Sequence, residues 1–389
     1  MKILHTSDWH LGKKLEGNSR IDEQIKFLDS LNLIVNGEEI DLILISGDIY
    51  DVPNPPVEAE KLFYTSMERL SNNGKRGIII IPGNHDNPEK LIASQEILQK
   101  FGIIVFEKPF ERKNIGKYGD LYILESNEGS IELEISGEKI FLYALPYPSE
   151  KSLNEEFNDN NISYSKRIGE IITEGLKMNT KDLPSVVMTH IYVNGSKGDG
   201  DERSIELGGS LAVSLDDMPQ ASYTALGHIH RSMIFKDRNI AYSGSPIEYR
   251  LTENKYSKKV LTAEISKDKT TIKEIEIDNY KPIKKYIVKS IDEALNKSKE
   301  LEEKDEWIYL IINSERALES HEVHEILKNK NVVEIIPQIN FTSDKEGLEI
   351  DYTSESISKA FERFYIEEKG IEPPLEIMDI FLELVGEDE

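Results

Sequence analysis

Short apolar runs alternate with amphipathic stretches through the first quarter of the chain. KILHT reads as a short strand, and the runs DLILIS and GIIIIP read as strands that are buried on both faces. Residues 20–36, 56–73 and 89–101 read as the helices that follow these strands. This β-α-β-α-β order predicts a parallel sheet with right-handed crossovers.

Beyond about residue 103 the pattern becomes rich in strands, with one further helix predicted at 164–177. The predicted strands are 121–125, 131–135, 139–145, 184–189, 222–227, 239–244, 258–265 and 270–277. Two sheets that pack face to face, with helices outside them, accommodate this order best. The sequence therefore predicts an α/β core over residues 1–279 with four layers in the order α/β/β/α.

Two smaller segments follow the core. Residues 280–350 begin with a linker, Tyr280-Lys281-Pro282, and continue as a β-α-β-α-β pattern that predicts a small separate α/β domain. Residues 351–389 contain two amphipathic stripes separated by GIEPP, which predicts a helical hairpin. This hairpin holds 3 basic and 12 acidic residues. Its apolar stripes fit a surface that binds a partner protein and equally fit an ordinary packed hairpin.

Composition excludes several classes of protein. The chain has no cysteine, so it has no disulfide framework, thiolate metal site or catalytic thiol, and it fits a reducing cytoplasm. The N-terminus lacks an apolar signal-peptide core and no stretch is long enough to span a membrane, so we expect a cytoplasmic protein without membrane contact. The formal net charge of −25 argues against generic polyanion binding. Residues 281–389 carry −13 of this charge, so any nucleic-acid surface is expected upstream.

Polar side chains with metal-binding or proton-transfer chemistry follow five of the apolar runs. In chain order they are Asp8 and His10, then Asp48 and Asp51, then Asn84, His85 and Asp86, then His190, and finally His228 and His230. The carboxyl ends of strands in layered α/β proteins form the edge where ligands bind. In D-x-H and H-x-H, residues i and i+2 face the same way in an extended chain, so both side chains can reach one centre.

These donors are too many for one ion. Seven of them, namely Asp8, His10, Asp48, Asn84, His190, His228 and His230, supply oxygen and imidazole nitrogen without sulfur, which suits manganese, iron or zinc. A shared carboxylate would give the two-metal arrangement for in-line attack on phosphorus. His85 directly follows Asn84 and is expected to act on the transferring phosphoryl group or the leaving oxygen. Asp86 either orients His85 or caps the next turn, and Asp51 is expected to support the metal ligands. His5, His321 and His324 read as structural or solvated residues.

The motifs D-x-H, G-D-x-x-D, G-N-H-D, a single later histidine and G-H-x-H resemble those of the calcineurin-like metallophosphoesterases. Four longer strings are similar to those of the DNA-nuclease branch of that family: MKILHTSDWHLGKKL, ISGDIYDVPNPP, IPGNHDNPEKL and ALGHIHRSMIFKDRNIAYSGSPIEYRL. The resemblance is strong over about residues 1–260. Beyond that range it lies in the layout of the segments more than in their sequence.

The resemblance implies a particular metal centre. One Mn²⁺ would be held by Asp8, His10, Asp48 and His230, and a second by Asp48, Asn84, His190 and His228, with His85 as the catalytic histidine. Other divalent metals are compatible with these ligands.

The resemblance also implies a substrate and partners. The small domain would cap the core and contact DNA ends, and the terminal hairpin would dock on a coiled-coil ATPase. A homodimer within a heterotetramer would degrade double-stranded DNA ends as an exonuclease and cut single strands and hairpins as an endonuclease. The setting would be DNA repair and recombination at the nucleoid.

Five basic residues near the metal motifs are candidates for contacts with DNA phosphates: Lys13, Lys14, Arg20, Arg231 and Arg250. Plain solvated charge explains each of them equally well. A small-molecule phosphodiesterase or nucleotide phosphatase on the same core remains the alternative function, because a fold does not fix a substrate. A scaffold without chemistry would lack ligands, whereas all seven donors and His85 are present.

Overall fold

The computed structural model describes residues 1–155, 163–194 and 211–339, together with the helical positions Phe361, Tyr365 and Met378. The chain divides into two compact units, Met1–Gln338 and Ile339–Glu389. Apart from those three positions, the hairpin predicted at 351–389 lies outside the described residues.

The elements agree closely with the sequence pattern. The strands are β1 (Lys2–Thr6), β2 (Lys14–Leu15), β3 (Asn18–Ser19), β4 (Leu42–Ser46), β5 (Gly77–Ile81), β6 (Ile103–Val105), β7 (Gly116–Tyr118), β8 (Leu121–Asn127), β9 (Ser130–Ile135), β10 (Glu138–Leu145), β11 (Ser185–His190), β12 (Tyr192–Val193), β13 (Ala212–Val213), β14 (Tyr223–Gly227), β15 (Met233–Phe235), β16 (Ile240–Tyr242), β17 (Lys258–Ile265), β18 (Thr270–Ile277), β19 (Ile283–Val288), β20 (Trp307–Ser314) and β21 (Val332–Ile339). The α-helices are α1 (Ile21–Gly37), α2 (Val57–Leu70), α3 (Pro88–Ile92), α4 (Gln95–Lys100), α5 (Glu150–Leu153), α6 (Tyr164–Lys177), α7 (Ile291–Glu300) and α8 (Ser320–Ile326).

The first sheet has the strand order β18-β17-β1-β4-β5-β6. Strands β1, β4, β5 and β6 are parallel, as the alternation of apolar runs and helices predicts. The single helix predicted at 89–101 is wrong, because the chain forms two short helices, α3 and α4. The break falls at Ser94, whose backbone angles (φ −114°, ψ 27°) lie outside the helical range.

The second sheet has the order β15-β16-β14-β11-β10-β9-β8-β7. Strands β10, β11, β14 and β16 are parallel, while β7 to β10 form an antiparallel meander. The short strands β2, β3, β6, β7, β12, β13 and β15 were not predicted, because two or three residues are too few to show a period.

Three apolar clusters separate four layers. Between the sheets, residues such as Leu44 and Ile79 pack against Leu142 and Met188. Outside the first sheet, β4 and β5 pack on α1 and α2. Outside the second sheet, β10 and β11 pack on α6. The predicted α/β/β/α order is therefore confirmed.

The strands β19, β20 and β21 form a separate three-stranded sheet that shares its own apolar core with α7 and α8. This small sheet contacts the segment that follows the first metal motif. Trp307 Nε1 donates to Glu23 Oε1 at 2.8 Å, and the Tyr309 hydroxyl donates to Glu16 Oε1 at 2.9 Å. Among the described residues, no helix combines the length and the apolar character that a membrane crossing requires.

Candidate metal centre

The carboxyl ends of five strands from both sheets meet at one edge of the sandwich. In the first sheet, β1 is followed by Asp8 and His10, β4 by Asp48, and β5 by Asn84 and His85. In the second sheet, β11 ends at His190, and β14 is followed by His228 and His230. Both sheets thus deliver side chains to the same place, since their parallel strands end at the same edge.

Four of these residues have a left-handed backbone, with φ of 55° at Asp8, 42° at His10, 52° at Asp48 and 103° at His228. Residues other than glycine rarely adopt such angles, and the surrounding structure must hold them there. The extended segment expected from the D-x-H spacing is therefore wrong. Asp8 and His10 reach the same centre through a tight left-handed turn.

Two glycines of the motifs allow the strand-end loops to approach closely. A Cβ atom at Gly83 would collide with the carboxylate of Asp48, and a Cβ atom at Gly227 would collide with the carbonyl oxygen of Ser46. Glycine is required at both positions because any side chain would push the loops apart.

The first donor cluster contains Asp8, His10 and His230, which offer ligand atoms within 4.8 Å of one another. The Nε2 atoms of His10 and His230 lie 3.1 Å apart. His230 is oriented from behind, because its Nδ1 lies 2.9 Å from Glu253 Oε1. Asp8 accepts from the backbone N–H of His228 through Oδ1, at 2.9 Å.

The second donor cluster contains Asn84, His190 and His228. Asn84 Oδ1 lies 3.0 Å from His190 Nε2 and 3.2 Å from His228 Nδ1. His190 Nδ1 lies 2.8 Å from the carbonyl oxygen of Ser46, which orients the imidazole ring.

Asp48 lies between the two clusters. Its Oδ2 is 3.7 Å from His10 Nε2 on one side and 3.3 Å from His190 Nε2 on the other. Its Oδ1 accepts from the backbone N–H of His85 at 3.0 Å, which fixes the plane of the carboxylate. The structure therefore brings together all seven donors that the sequence singles out, and Asp8 also lies within reach of Asp48 and His190.

The hydrogen-bonding pattern fits a bound cation. A carbonyl oxygen only accepts, so His190 must carry a proton on Nδ1 to bond to Ser46. In a neutral ring, Nε2 then directs a lone pair at the oxygens of Asn84 and Asp48. Three electron pairs that face one another repel unless a proton or a metal ion lies between them.

The pKa values show how strongly the buried centre perturbs its groups. Burial raises the pKa of Asp8 to about 6 and lowers that of His228 to about 3. Burial would also lower the pKa of His190. The negative charge of Asp48 and the hydrogen bond between Asp48 and His190 outweigh burial, and they raise the pKa of His190 to about 9. Burial would raise the pKa of Asp48, yet His190 and His10 hold it well below its ordinary value.

His85 lies at the opening of the centre, and its ring makes an edge contact with His10 at 4.9 Å between centroids. Its Nδ1 bonds to the carbonyl oxygen of Asp51 at 2.9 Å, and it offers a ligand atom within 4.8 Å of those of His10 and Asp51. The expectation that Asp86 orients His85 is wrong. The Asp86 carboxylate accepts from the backbone N–H groups of Ile49, Tyr50 and Gly83 and ties two strand-end loops together.

Asp51 itself lies beside the first cluster. Its Oδ1 is 3.6 Å from His10 Nδ1 and accepts from Lys13 Nζ at 2.6 Å. This location fits the supporting role that the sequence predicts for it.

The sequence did not reveal the buried pair behind His230. Glu253 is fully buried in a short 3-10 helix, Leu251–Lys255, and accepts from Lys258 Nζ and from the backbone N–H of Tyr249. Burial would raise the pKa of Glu253, but the charges of Lys258 and His230 hold it well below its ordinary value. No motif marks Glu253. Its role becomes visible only in the folded structure, where its carboxylate contacts His230 Nδ1.

The five basic candidates for DNA contacts have different surroundings. Arg20 does not fit this role, because its guanidinium is buried and pairs with the Glu23 carboxylate through Nε (2.6 Å) and Nη2 (2.5 Å). Lys14 is exposed, and Lys13 pairs with Asp51. Arg231 lies over the ring of Tyr256, and Arg250 is half-buried.

Comparison with known families agrees with this geometry. The family model of the calcineurin-like phosphoesterases matches residues 1–232. The chain therefore belongs to the calcineurin-like phosphoesterase family, whose members require divalent metal ions, and the two donor clusters are suited to hold them.

More specific similarity extends over the whole chain. The SbcD subunit of the nuclease SbcCD from Bacillus subtilis (strain 168) is 35% identical, and the match covers 99% of this chain and 98% of that protein. The protein of the same name from Staphylococcus epidermidis is 31% identical over 66% of this chain and 64% of its own length. Among solved structures, the NAD nucleotidase of Haemophilus influenzae matches 85% of this chain and 59% of its own, with 14% identity and a TM-score of 0.33.

Proposed function

We propose that the chain is the nuclease subunit of an SbcCD-type complex and hydrolyses DNA phosphodiesters with two divalent metal ions. The observation that carries this proposal is the pair of donor clusters joined by Asp48, in a chain similar over nearly its full length to the SbcD subunit of an SbcCD nuclease. Asp8, His10, Asp48 and His230 would hold one ion, and Asp48, Asn84, His190 and His228 the other.

When bound, such ions polarise the phosphoryl oxygens and make water a strong nucleophile. The oxygen and imidazole donors suit Mn²⁺, which we propose as the working metal. His85 would hold or move a proton at Nε2, because its Nδ1 is engaged by the Asp51 carbonyl. Asp48 would fix the separation of the two ions, and Glu253 would fix the ring of His230.

The similarity to SbcD also supports a proposal about partners. The chain would act as a homodimer with an SbcC-type coiled-coil ATPase, as an exonuclease on double-stranded ends and an endonuclease on single strands and hairpins. Residues 280–350 would cap the core and contact DNA ends, and residues 351–389 would dock on the ATPase. The complex would work in the cytoplasm on nucleoid DNA. Asp86 stays outside the catalytic group, because backbone N–H groups occupy its carboxylate.

The test is hydrolysis of linear duplex DNA by the full chain with manganese, compared with a small ester, bis(p-nitrophenyl) phosphate. We expect Asp48→Asn to lose manganese and activity on both substrates. His85→Ala should keep its manganese and lose about 100-fold or more in rate. Asp216→Asn is the matched control, because that side chain is 98% exposed on the surface.

The possible results separate the two candidate functions. Hydrolysis of DNA that depends on Asp48 supports the nuclease. If the chain hydrolyses only the small ester, and still does so after the coiled-coil ATPase is added, it is a small-molecule phosphodiesterase. Loss of manganese from His85→Ala would contradict the role proposed for His85.

A further inference from the structure

The backbone turn that carries His10 is contacted by a side chain of α1, Gln24, which belongs to none of the metal-binding motifs. Gln24 donates through Nε2 to the carbonyl oxygen of His10 at 2.8 Å, and its Oε1 accepts from the backbone N–H of Gly12 at 3.0 Å. Only 1% of Gln24 is exposed. A buried amide that uses both of its polar ends on one turn fixes the shape of that turn.

This turn needs support because His10 has a left-handed backbone, with φ of 42°. A residue other than glycine stays in that region only where its surroundings hold it there. The turn also sets the position of the imidazole, whose Nε2 lies 3.1 Å from His230 Nε2 and 3.7 Å from Asp48 Oδ2. A shift of the turn would therefore move His10 out of the first donor cluster.

A buried tyrosine completes the support of the turn. Tyr249 is 2% exposed, and its hydroxyl donates to the carbonyl oxygen of Trp9. The same hydroxyl accepts from Gln24 Nε2 at 3.3 Å. The Tyr249 ring makes an edge contact with the His10 ring at 5.5 Å between centroids. Gln24 and Tyr249 together therefore hold both the backbone and the ring of His10.

The small sheet contacts the residue next to Gln24 on α1. Glu23 is 4% exposed, and its Oε1 accepts from Trp307 Nε1 on β20 at 2.8 Å. Its two carboxylate oxygens also accept from the guanidinium of Arg20, which is buried as well. The first turn of α1 therefore links β20 to the turn that carries His10.

We propose that Gln24 is a positioning residue for His10 and that Trp307 of the small sheet secures Gln24 through Glu23. The inference rests on the proposed two-ion centre and adds to it a task for the small sheet, which supports metal binding by the core without contributing a ligand. Loss of a group that orients a metal ligand typically costs about 10- to 100-fold in metal affinity. Because Gln24 acts on the turn of His10, its loss should weaken the first donor cluster selectively.

Manganese titrations of full-length chains, followed by the electron paramagnetic resonance signal of dissolved Mn²⁺, test this selectivity in two backgrounds. In His190→Ala the first cluster holds the remaining ion, and we expect Gln24→Met to weaken its binding about 10- to 100-fold. Methionine has the length of glutamine and removes both hydrogen bonds. In His230→Ala the second cluster holds the remaining ion, and Gln24→Met should leave its affinity unchanged. Equal losses in both backgrounds, or no loss in either, would overturn the positioning role.

Asn179→Ala is the matched control for the loss of an amide. Asn179 follows α6 and is half-buried, and its side chain donates to the Leu183 carbonyl oxygen at 2.7 Å and accepts from the Leu183 N–H at 3.0 Å. It therefore fixes a backbone turn as Gln24 does, but away from the metal centre. We expect Asn179→Ala to lower the midpoint of thermal unfolding and to keep the manganese affinity of both clusters.

A second variant tests the link to the small sheet. Trp307→Phe keeps an aromatic ring and removes the N–H that bonds to Glu23, so in the His190→Ala background it should weaken manganese binding about 5-fold. Tyr286→Phe is its control, because it removes a hydrogen bond of 2.5 Å between β19 and Glu306, a carboxylate outside α1. Unchanged manganese affinity in Trp307→Phe would overturn the link.

DNA hydrolysis is measured separately, so that this inference and the proposed function can fail independently. We expect Gln24→Met to lose activity at low manganese and to regain it at saturating manganese. A wild-type chain that cleaves DNA, together with Gln24→Met that binds manganese as the wild type does, would overturn the positioning role alone. A selective loss of manganese affinity in a chain that never cleaves DNA would overturn the nuclease alone. A wild-type chain that binds no manganese would overturn both.

Discussion

At the scale of single residues, a buried lysine–glutamate pair supports one of the candidate metal ligands, His230. Lys258 bonds to Glu253, Glu253 bonds to His230 Nδ1, and all three side chains are at most 5% exposed. A carboxylate on the remote nitrogen of a ligating histidine fixes the tautomer and makes the other nitrogen a better donor. Glu253 would therefore act as a positioning residue that orients His230 for a metal ion.

We predict that Glu253→Gln combined with Lys258→Met weakens manganese binding by about 10- to 100-fold. The glutamine oxygen can still accept from His230, but it lacks the charge, and the methionine avoids leaving a buried lysine unpaired. Competition with a chelator measures the affinity directly, and thermal unfolding checks the fold. Glu322→Gln is the matched control, since Glu322 on α8 is a buried carboxylate paired with Arg316 and lies outside the metal centre. Unchanged manganese affinity in the double variant would refute the positioning role.

At the scale of the elements, the strands bring the donor residues to one edge of the two sheets. The loops after the strands then set the orientation of each donor side chain. Asp86 bridges the loop after β4 and the loop after β5 by accepting from Ile49, Tyr50 and Gly83. The left-handed backbone at Asp8 and Asp48 turns each carboxylate toward the centre. The backbone N–H groups of both loops donate to the same Asp86 carboxylate, which holds the two loops together.

The strands and the donors at their ends could be predicted from the sequence, because long apolar runs followed by polar motifs are visible one segment at a time. The details that depend on contacts between residues far apart in the sequence could not be predicted. The burial of Arg20 requires Glu23 on the same helical turn and Trp307 from the small sheet. The role of Glu253 requires it to meet His230 from 23 positions away. The break at Ser94 lies in a stretch whose composition favours one continuous helix.

At the scale of the whole molecule, the centre exists because two sheets end at one edge, and a buried histidine links those sheets. His5, on β1 of the first sheet, lies 2.8 Å from the Tyr223 hydroxyl and 3.1 Å from the Leu226 carbonyl on β14 of the second. Its structural role is as predicted from its place inside a strand. Burial lowers the pKa of His5 to about 3.

This shift predicts how stability depends on pH. The folded pKa lies below the ordinary value of about 6.5, so the unfolded chain binds the proton more readily. The contribution of neutral His5 to the free energy of unfolding is complete above about pH 6.5. It is lost as the pH falls toward about 3. Between about pH 7 and about pH 5, His5 should account for a loss of about 2 kcal/mol in the free energy of unfolding.

The measurement is denaturant unfolding of the chelated full chain at both pH values. His5→Gln keeps a donor and an acceptor but does not titrate, so it should lose less stability on acidification than the wild type. His324→Gln, at an exposed position on α8, is the control and should follow the wild type. Equal losses in His5→Gln and the wild type would contradict this role of His5.

We propose that Asp48 joins two metal ions that are held by residues at the ends of two different sheets. Electron paramagnetic resonance of the manganese-loaded full chain, with the metal content measured on the same sample, tests it most directly. We predict two Mn²⁺ per chain with a spin-coupled spectrum, and one uncoupled ion after either His190→Ala or His230→Ala. A wild-type chain that binds a single ion, or two ions without coupling, would contradict the account.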